Sequence, residues 1–417
     1  MNEMPDSLCR LSAAQMKHLC CGCGLCVAVC PTGCLRLLEN TRGHLEAACP
    51  DAAVCAACGR CAAVCPGLRR EPSYHLDLPS AIVFGHSTDG AFRWNAASGG
   101  LTTELLTYLL HSHAVDYVVT SGRYEDGRKP QPVVTRDAAQ LRTLCGSNYC
   151  PVPMGLAIEN VARLEGRCAL VCLPCAARGV RRLMEHDRSL AGKIAFIITL
   201  LCNHAPSFRA TAHLARRHLR LRDLSQIESI RYRGQGWFGQ AVLSARDGRV
   251  ARVPYSEYFA GPFASHFRRP RCQMCLDHFG VFADISMGDA DFVKYRQARD
   301  NPGETVCFVQ NAALLAALED MKAAGRITLS REIRHDELTR IYGPLLAGGH
   351  EMVAARRAVG AIVPLSEPGT PAVVQARWDV ALRRNLEFHE AMSGGSPSFH
   401  LYQALRTVHR LANRARE

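Results

Sequence analysis

Hydrophobic residues between Ala81 and Ser330 recur in two patterns that alternate along the chain. Short apolar runs predict strands, and stretches with apolar residues three or four positions apart, such as 101–110, predict helices. The other predicted helices are 175–185, 206–219 and 312–323. The predicted strands are 81–84, 115–120, 132–135, 168–173, 193–202, 229–233, 306–309 and 327–330. Because strands alternate with helices, the pattern predicts an α/β core.

The segments around these elements complete the predicted organisation. Residues 240–255 predict a hairpin that turns at Asp247 and Gly248, so the sheet is expected to be mixed, and 92–100 predict a loop. The polar, proline-containing stretch 67–80 predicts a linker. Beyond Asp336 the pattern is helical and increasingly basic. We therefore predict three parts, which are an N-terminal module at 1–70, the α/β core at 81–335 and a helical C-terminal tail at 336–417.

The N-terminal module carries the same cysteine pattern twice. Residues 20–31 and 55–66 both have the spacing C-x2-C-x2-C-x3-C-P. This spacing is typical of a bacterial ferredoxin with two [4Fe–4S] clusters, in which the fourth cysteine of each run binds the other cluster. The first predicted ligand set is Cys20, Cys23, Cys26 and Cys65. The second is Cys30, Cys55, Cys58 and Cys61.

The repeat predicts that the module has an α+β ferredoxin-like fold. Zinc sites also use C-x2-C pairs, but zinc requires neither the third cysteine, nor the Cys-Pro ending, nor the repeat. Four further cysteines lie outside the pattern and are predicted to be small packing residues. They are Cys9, Cys21, Cys34 and Cys49.

Composition adds limits on location and partners. The chain has 21 cysteines, a hydrophobic fraction of 48% and a formal net charge of +12. The cysteines are grouped, so they do not indicate a disulfide framework. The basic charge favours a solvated surface that attracts an acidic redox partner, and no aromatic and basic stripe indicates nucleic-acid binding. The N-terminus lacks a signal peptide and no apolar run is long enough to span a bilayer, so we expect a cytoplasmic protein.

Four cysteines of the core predict a third metal site. Cys175 lies at a strand-to-helix junction, Cys202 ends an apolar strand, and Cys272 and Cys275 form a C-x2-C pair. Strand ends in an α/β core meet at one edge, so four thiolates can close a site there, such as a third [4Fe–4S] cluster. The alternative is that Cys175 and Cys202 are buried packing residues. The remaining core cysteines are predicted to be packing residues, namely Cys145, Cys150, Cys168, Cys172 and Cys307.

Three polar positions of the core suggest a cofactor. Ser98, Gly99 and Gly100 open a predicted helix, where free N–H groups suit the diphosphate of a nucleotide cofactor such as FAD. On these residues alone, an ordinary Ser98 N-cap after a loop is the favoured interpretation. Asp289 follows the C-x2-C loop and suits either a flavin ribityl chain or turn capping. The motif G-x-G-x-x-G at 234–239 precedes a predicted strand rather than a helix, so it does not predict a dinucleotide site.

Five segments together resemble the beta subunit of the coenzyme F420 hydrogenase/dehydrogenase family. They are R-W-N-A-A-S-G-G at 93–100, G-S-N-Y-C-P-V-P at 146–153, L-P-C at 173–175, R-G-Q-G-W at 233–237 and the long run R-C-Q-M-C-L-D-H-F-G-V-F-A-D-I-S-M-G-D-A at 271–290. The resemblance implies an α/β fold that holds FAD beside an iron–sulfur cluster. It implies that the FAD is lined by Ser98, Gly99, Gly100, Thr102, Gly146, Ser147, Asn148 and Tyr149. It also supports a cluster at the four core cysteines.

The combined expectation is an iron–sulfur flavoprotein oxidoreductase. Two clusters in the module and a third in the core would exchange electrons with FAD, and FAD with coenzyme F420 or another organic two-electron substrate. A redox partner protein or a ferredoxin is the expected protein partner. The alternative is a non-catalytic electron-transfer subunit of a larger redox complex.

Overall fold

The computed structural model describes residues 7–68, 81–259, 267–275, 277–290 and 302–332. The predicted C-terminal tail and most of the predicted linker lie outside these ranges. The helices are α1 (Ala13–Leu19), α2 (Leu25–Ala28), α3 (Arg60–Val64), α4 (Gly90–Asn95), α5 (Leu101–His111), α6 (Ala138–Thr143), α7 (Ile158–Arg163), α8 (Pro174–His186), α9 (Arg188–Lys193), α10 (Phe208–Leu219), α11 (Tyr255–Tyr258) and α12 (Ala312–Ala323). The strands are β1 (Arg36–Glu39), β2 (Leu45–Ala48), β3 (Ala81–Ser87), β4 (Tyr117–Ser121), β5 (Tyr124–Glu125), β6 (Pro132–Thr135), β7 (Cys168–Cys172), β8 (Ile194–Leu200), β9 (Ile227–Arg231), β10 (Gln240–Ala245), β11 (Val250–Pro254), β12 (Ile285–Asp289), β13 (Thr305–Val309) and β14 (Ile327–Glu332).

The centre of the fold is an eight-stranded sheet with the order β14-β3-β13-β12-β8-β7-β4-β6. Four neighbouring strands, β12, β8, β7 and β4, are parallel. Strands β13 and β6 pair antiparallel to the two ends of this group, and β3 and β14 continue the sheet beyond β13 with antiparallel pairing. The central strands are almost completely buried, as parallel strands covered on both faces must be. The predicted α/β core with a mixed sheet is confirmed.

A second sheet of four antiparallel strands has the order β11-β10-β9-β5. It contains the predicted hairpin, β10 and β11, and packs with α10 around Ile230, Leu243 and Leu214. Because β10 begins at Gln240, directly after the G-x-G-x-x-G motif, no helix follows the glycines. The exclusion of a dinucleotide fingerprint there is confirmed.

Residues 7–68 form a small module with its own buried cluster and the two-stranded sheet β1-β2. Two of its side chains, Leu25 and Val64, pack instead into the hydrophobic cluster of the large sheet, beside Leu170 and Ala177. Full burial of one such side chain contributes about 1.5–3 kcal/mol. The N–H of Gly155 also donates to the carbonyl of Cys23 at 2.7 Å. The module is therefore fixed against the core by both packing and hydrogen bonds.

Two sequence predictions differ from the structure. The pattern predicts a loop at 92–100, but α4 occupies Gly90–Asn95 because Asp89 caps it, accepting a hydrogen bond from the Phe92 N–H at 2.9 Å. It predicts a turn at Asp289, but this residue is the last of β12. Strand β12 contains a serine and a glycine, so it lacks the apolar pattern of a buried strand. Ser286 is satisfied there by the Thr199 hydroxyl at 2.6 Å.

Candidate functional site

One pocket on the N-terminal module is lined by all four cysteines of the second predicted set. We call Cys30, Cys55, Cys58 and Cys61 the outer set, because Cys58 is exposed to solvent. The pocket walls contain no charged residue. The Leu8 N–H donates to the Cys61 sulfur at 3.4 Å, and the Ser7 hydroxyl lies 3.3 Å from the Cys55 sulfur. The repeat spacing thus brings these thiols to a shared cavity.

The first predicted set, Cys20, Cys23, Cys26 and Cys65, is the inner set, because it lies where the module meets the core. Burial raises the pKa of Cys26 well above its usual value, and the charges of Cys20 and Cys65 raise it further. Burial likewise raises the pKa of Cys65 to about 12. Three of these thiols are buried and Cys23 is half-buried, and a positive metal centre would stabilise four such thiolates together.

The core set, Cys175, Cys202, Cys272 and Cys275, gathers at the carboxyl ends of the parallel strands. Cys175 lies in the first turn of α8, directly after β7, and Cys202 follows β8. Burial raises the pKa of Cys202 well above its usual value, and the charges of Cys272 and Cys275 raise it further. The predicted convergence of strand ends therefore brings the four thiols within electrostatic reach of one another.

Cys21 lies between the inner set and the core set. Its thiol hydrogen-bonds with Cys175 and with Cys23, and these contacts lower its pKa well below the usual value. The spacing of the repeat assigns Cys21 no role beyond packing. The structure instead makes it the contact between a cysteine of the module and a cysteine of the core.

Arg233 is the central residue of the predicted flavin site. It is 1% exposed, and its guanidinium donates to both Asp289 oxygens at 3.0 and 3.2 Å. It also donates to the Tyr149 hydroxyl at 2.9 Å and to the Ala97 carbonyl. Burial alone would lower the pKa of Arg233, but the interactions with Asp289, Tyr149 and Tyr255 together outweigh burial and raise it well above its usual value. One side chain thus joins three segments that sequence analysis linked to the flavin.

The loop at 98–100 packs against β3 and leads into α5. Ser98 does not cap the helix, because its hydroxyl donates to the Glu304 carbonyl at 2.6 Å and the N-cap position belongs to Gly100. Gly99 has no room for a side chain, since a Cβ would lie 2.8 Å from the Gly85 carbonyl. Thr102 lies in the first turn of α5, where N–H groups have no partner within the helix.

The turn at 146–149 is tied to the end of β4. The Asn148 amide donates to the Gly122 carbonyl at 2.8 Å and to the Ser121 hydroxyl at 3.1 Å. Gly146 has a φ of +111°, and a side chain there would meet only the Arg233 carbonyl, at 4.0 Å. Gly146 is therefore needed for its backbone conformation, not for space. Ser147 is half-buried beside it.

Aromatic rings enclose the Arg233 side of this site. The guanidinium lies over the Tyr255 ring, 4.6 Å from its centroid, and Tyr255 stacks on Phe259 at 4.6 Å and on Phe238 at 5.4 Å. Tyr149 lies within 6.5 Å of the same group of rings. Aromatic rings beside this buried ion pair are suited to stacking with a flat aromatic molecule.

The core set and the Arg233–Asp289 pair lie at the same edge of the sheet. In the pairing of β8 with β12, Leu200 lies opposite Met287. Cys202 and Asp289 each follow two residues later, on adjacent strands, and adjacent strands are about 4.8 Å apart. The Leu201 N–H still donates to the Met287 carbonyl at 2.8 Å, so the two strands remain paired up to this point.

The sequence pattern assigns no role to Arg233 and only a packing role to Cys21. Arg233 belongs to one of the resembling segments and ends a predicted strand, which is a position where a buried charge indicates a site. Its partners come from residues far away in the chain, so only the three-dimensional structure shows the ion pair.

Within the described ranges, every helix is too short or too polar to cross a membrane.

Comparisons with known proteins agree with this arrangement. Two models of the family described as "Coenzyme F420 hydrogenase/dehydrogenase, beta subunit" match, the N-terminal one at residues 82–159 and the C-terminal one at residues 165–334. The F subunit of the F(420)H(2) dehydrogenase of Methanosarcina mazei is 28% identical over 289 residues, which cover 66% of this chain and 77% of the relative. The beta subunit of the coenzyme F420 hydrogenase of Methanosarcina barkeri is 25% identical over 213 residues, covering 49% and 69%.

A solved structure shows the same fold. It belongs to the xenon-derivatised F420-reducing [NiFe] hydrogenase complex from Methanosarcina barkeri, with a TM-score of 0.54 and 21% identity. The match covers 72% of this chain and 99% of that chain. Fold and site define a mixed α/β protein whose cysteines are grouped in sets that fit iron–sulfur clusters. The chain belongs to the family of coenzyme F420 hydrogenase/dehydrogenase beta subunits, which are oxidoreductase subunits.

Proposed function

We propose that the chain is an iron–sulfur flavoprotein oxidoreductase. It would move electrons between its thiol-bound clusters and FAD, with coenzyme F420 or another organic two-electron compound as substrate. The observation that carries the proposal is the continuous series of sites from the outer set to the Arg233–Asp289 pair. Coenzyme F420 is proposed as a substrate because the relatives' names include it. A redox partner protein or ferredoxin would bind the module at its exposed outer set.

Each neighbouring pair of sites is joined by contacts of this chain. In the predicted ligand assignment the outer and inner sets share the two repeats of the module, since Cys30 and Cys65 each come from the opposite repeat. Cys21 joins the inner set to the core set. Paired strands β8 and β12 join the core set to Asp289. Electron transfer needs short steps between fixed sites, and these contacts fix the sites relative to one another.

The residues present fit the proposed groups. Four thiols in each set are the donors that [4Fe–4S] clusters use. Arg233 retains one N–H, on Nε, without a hydrogen-bond partner among the described residues, although the side chain is buried. When bound, clusters pass single electrons and a flavin exchanges a hydride.

The side chains of this site have separate tasks. Arg233 supplies a fixed positive charge, and Asp289 and Tyr149 hold its guanidinium in place. Asn148 holds the turn at 146–149 against β4. The rings of Tyr255 and Phe259 keep water away from that face. Together they would bind and orient the flavin.

The first experiment measures cofactors and substrates. Anaerobically purified full-length protein should contain iron, sulfide and FAD, and reduced coenzyme F420, nicotinamide and ferredoxin should be tested as electron donors. Iron and sulfide without flavin, together with no binding of added FAD, would reject the oxidoreductase proposal. Flavin that no small molecule reduces would favour a non-catalytic electron-transfer role, which the relatives' names as subunits also allow.

The second experiment tests the core set. Cys175→Ser and Cys272→Ser should each lower the iron content by about four atoms per chain if the set holds a cubane cluster. Cys307→Ala is the matched control, because Cys307 is a fully buried thiol in β13 outside every set. Unchanged iron in both serine variants would remove the third cluster.

The third experiment tests the flavin site. Arg233→Met should abolish or strongly weaken FAD binding, measured by flavin fluorescence after ultrafiltration, while Arg233→Lys should retain part of it. The matched control is Arg249→Met, because Arg249 is exposed and pairs with Asp247 on the hairpin. Equal FAD content in the parent protein and the three variants would show that the flavin binds elsewhere.

A further inference from the structure

Three cysteines outside the repeat gather at the outer set. The Cys9 sulfur lies 3.5 Å from the Cys34 sulfur, and the Cys34 sulfur lies 3.5 Å from that of Cys30. The sulfurs of Cys9, Cys34 and Cys55 all lie within 4.8 Å of one another. The Cys49 thiol interacts with both Cys9 and Cys34. Cys9 and Cys34 therefore line the outer pocket, with Cys49 in contact with both, and a cubane cluster uses none of these three thiols.

Local structure explains how these distant residues meet. Arg36 pairs with Ala48 in the β1–β2 hairpin, so Cys34 and Cys49 flank the same end of it. Cys9 lies in the short 3-10 turn Leu8–Arg10, which Ser7 caps. The Leu8 N–H and the Ser7 hydroxyl hold this turn against the Cys61 and Cys55 sulfurs. Three separate segments thus each direct one additional thiol to the same place.

The spacing of these sulfurs matches a single metal ion. Zn–S bonds of about 2.3 Å in a tetrahedron place the sulfurs about 3.8 Å apart. Thiolates on different corners of a cubane cluster lie farther apart, since each binds its own iron. These cysteines form no disulfide in the structure, where the Cys9 and Cys34 sulfurs are 3.5 Å apart, well beyond the S–S bond length of about 2.05 Å. Packing alone is the simpler account of one buried cysteine, but the sulfurs of Cys9, Cys34 and Cys55 lie within 4.8 Å of one another. With Cys49, which interacts with Cys9 and Cys34, they supply the four thiols that a closed structural zinc site uses.

We propose that Cys9, Cys34 and Cys49, with Cys55 as a shared fourth ligand, bind one thiophilic divalent ion beside the outer cluster. The ion would tie the N-terminal turn and the hairpin to the second repeat and close the exposed end of the module. Only the sharing of Cys55 with a cluster rests on the proposed function. Binding would release the thiol protons and leave the oxidation state of sulfur and metal unchanged.

The test measures metals in full-length protein that has been reconstituted with iron and sulfide and then exposed to Zn²⁺. Mass spectrometry of the elements should find one zinc per chain above the iron content, and X-ray absorption should find sulfur ligands at about 2.3 Å. The double variant C9S/C34S should lose this zinc and keep its iron. The matched control, C307A, should keep both.

Outcomes separate this inference from the proposed function. Full iron with no tightly bound zinc, or zinc that survives in C9S/C34S, would overturn the site. Zinc bound at these thiols in a protein that takes up no iron would support the site and reject the proposed function. Should C9S/C34S not fold, the single variant C49S gives the same test, because Cys49 lies at the surface end of the hairpin and its loss removes one ligand. Zinc with unchanged affinity in C49S would also contradict the proposal.

Discussion

The inner and outer cysteine sets have the same spacing and very different surroundings. The inner set is pressed against the core, where Arg182 donates to the Cys65 carbonyl at 3.2 Å and Arg269 to the Cys20 carbonyl at 3.3 Å. Both arginines are buried. The outer set opens to solvent at Cys58, and no arginine lines its pocket. The repeat therefore specifies two equivalent ligand sets, while the core makes them electrostatically unequal.

The pKa values of the thiols differ between the inner and outer sets in the same way. Burial raises the pKa of Cys20, and the nearby Arg269 charge only partly offsets the effect. In the outer set a hydrogen bond from Ser7 lowers the pKa of Cys55. Burial would raise the pKa of Cys30, but hydrogen bonds from the Leu35 N–H and the Thr32 hydroxyl lower it to about 7. An outer position suits exchange with partners, and an inner position suits a relay to the core.

The largest expected effect comes from separating the inner set from the core. A Cβ on Gly155 would lie 2.6 Å from the Cys23 carbonyl oxygen and 2.6 Å from the Leu25 nitrogen, both backbone atoms. Gly155→Val should destabilise the protein by about 1–3 kcal/mol through overpacking, or more if the module detaches. Chemical unfolding of the full chain measures the change.

Gly192→Ala is the matched control for this variant. No atom lies within 4 Å of a Cβ added to Gly192, in helix α9, so its stability should be unchanged or slightly higher. Equal stability of Gly155→Val and the parent protein would show that the contact between module and core is not tight.

The next effect concerns the charge beside the inner set. Arg269 is 1% exposed and sits against Gly22, whose φ of +71° and lack of a side chain admit the guanidinium. A fixed cation stabilises the extra negative charge of a reduced cluster. Arg269→Gln should therefore lower the inner midpoint potential, by roughly 59 mV for a tenfold change in the one-electron equilibrium. Potentiometric titration monitored by electron paramagnetic resonance measures the midpoint potentials of both clusters.

Three comparisons make this result specific. Arg269→Lys keeps the charge and should restore most of the potential. Arg209→Gln removes an exposed arginine that donates to the Thr41 carbonyl at the rim of the same interface, and it should change neither cluster. Equal shifts at the inner and outer clusters would mean that Arg269 acts through general destabilisation.

Sequence patterns predicted much of this architecture because local chemistry determines it. The apolar runs at 168–173 and 193–202 correspond to β7 and β8, and the helix at 312–323 matches α12. The strand ends then bring Cys175 and Cys202 to one edge, as parallel strands must. These features depend on periodicity and on the order of elements, both of which are present in a single sequence.

Other features depend on contacts between distant residues and could not be predicted. Arg233 meets Asp289 and Tyr149 only after three elements have packed, and a lone arginine has no distinguishing pattern. The strand β12 is stabilised by the partners of Ser286, not by alternating apolar residues. The convergence of Cys9, Cys34 and Cys49 requires the hairpin register and the position of the N-terminal turn, neither of which follows from cysteine spacing.

Thiol reactivity offers a smaller and pH-dependent test of the comparison. A thiol reacts as its thiolate, so a lowered pKa raises the reactive fraction near neutral pH. In protein from which iron has been removed, alkylation of Cys30 should increase as the pH rises through about 7 and then level off. Cys65, with a pKa of about 12, should remain unreactive over this range. Peptide mapping by mass spectrometry after brief iodoacetamide treatment measures both, and a common pH profile would contradict the difference between the sets.

The smallest effect is expected at the edge of the interface. Lys129 of the core forms an ion pair with Glu39 in β1, and the side chains are 35% and 34% exposed. Exposed ion pairs contribute at most about 1 kcal/mol, and salt screens them. Lys129→Met should therefore lower stability by less than Gly155→Val, and the difference from the parent should shrink in high salt.

Lys322→Met is the control, because Lys322 pairs with Glu319 within α12 and does not touch the module. A Lys129→Met protein as unstable as Gly155→Val would mean that charge at the rim, rather than packing around Cys23 and Leu25, holds the module in place. Since Lys129 also lies 4.3 Å above the Phe208 ring, a loss that persists in high salt would assign the contribution to this ring contact. Because Lys129 and Phe208 both belong to the core, only a loss that high salt removes would mean that the inner set owes its buried position to the rim of the interface.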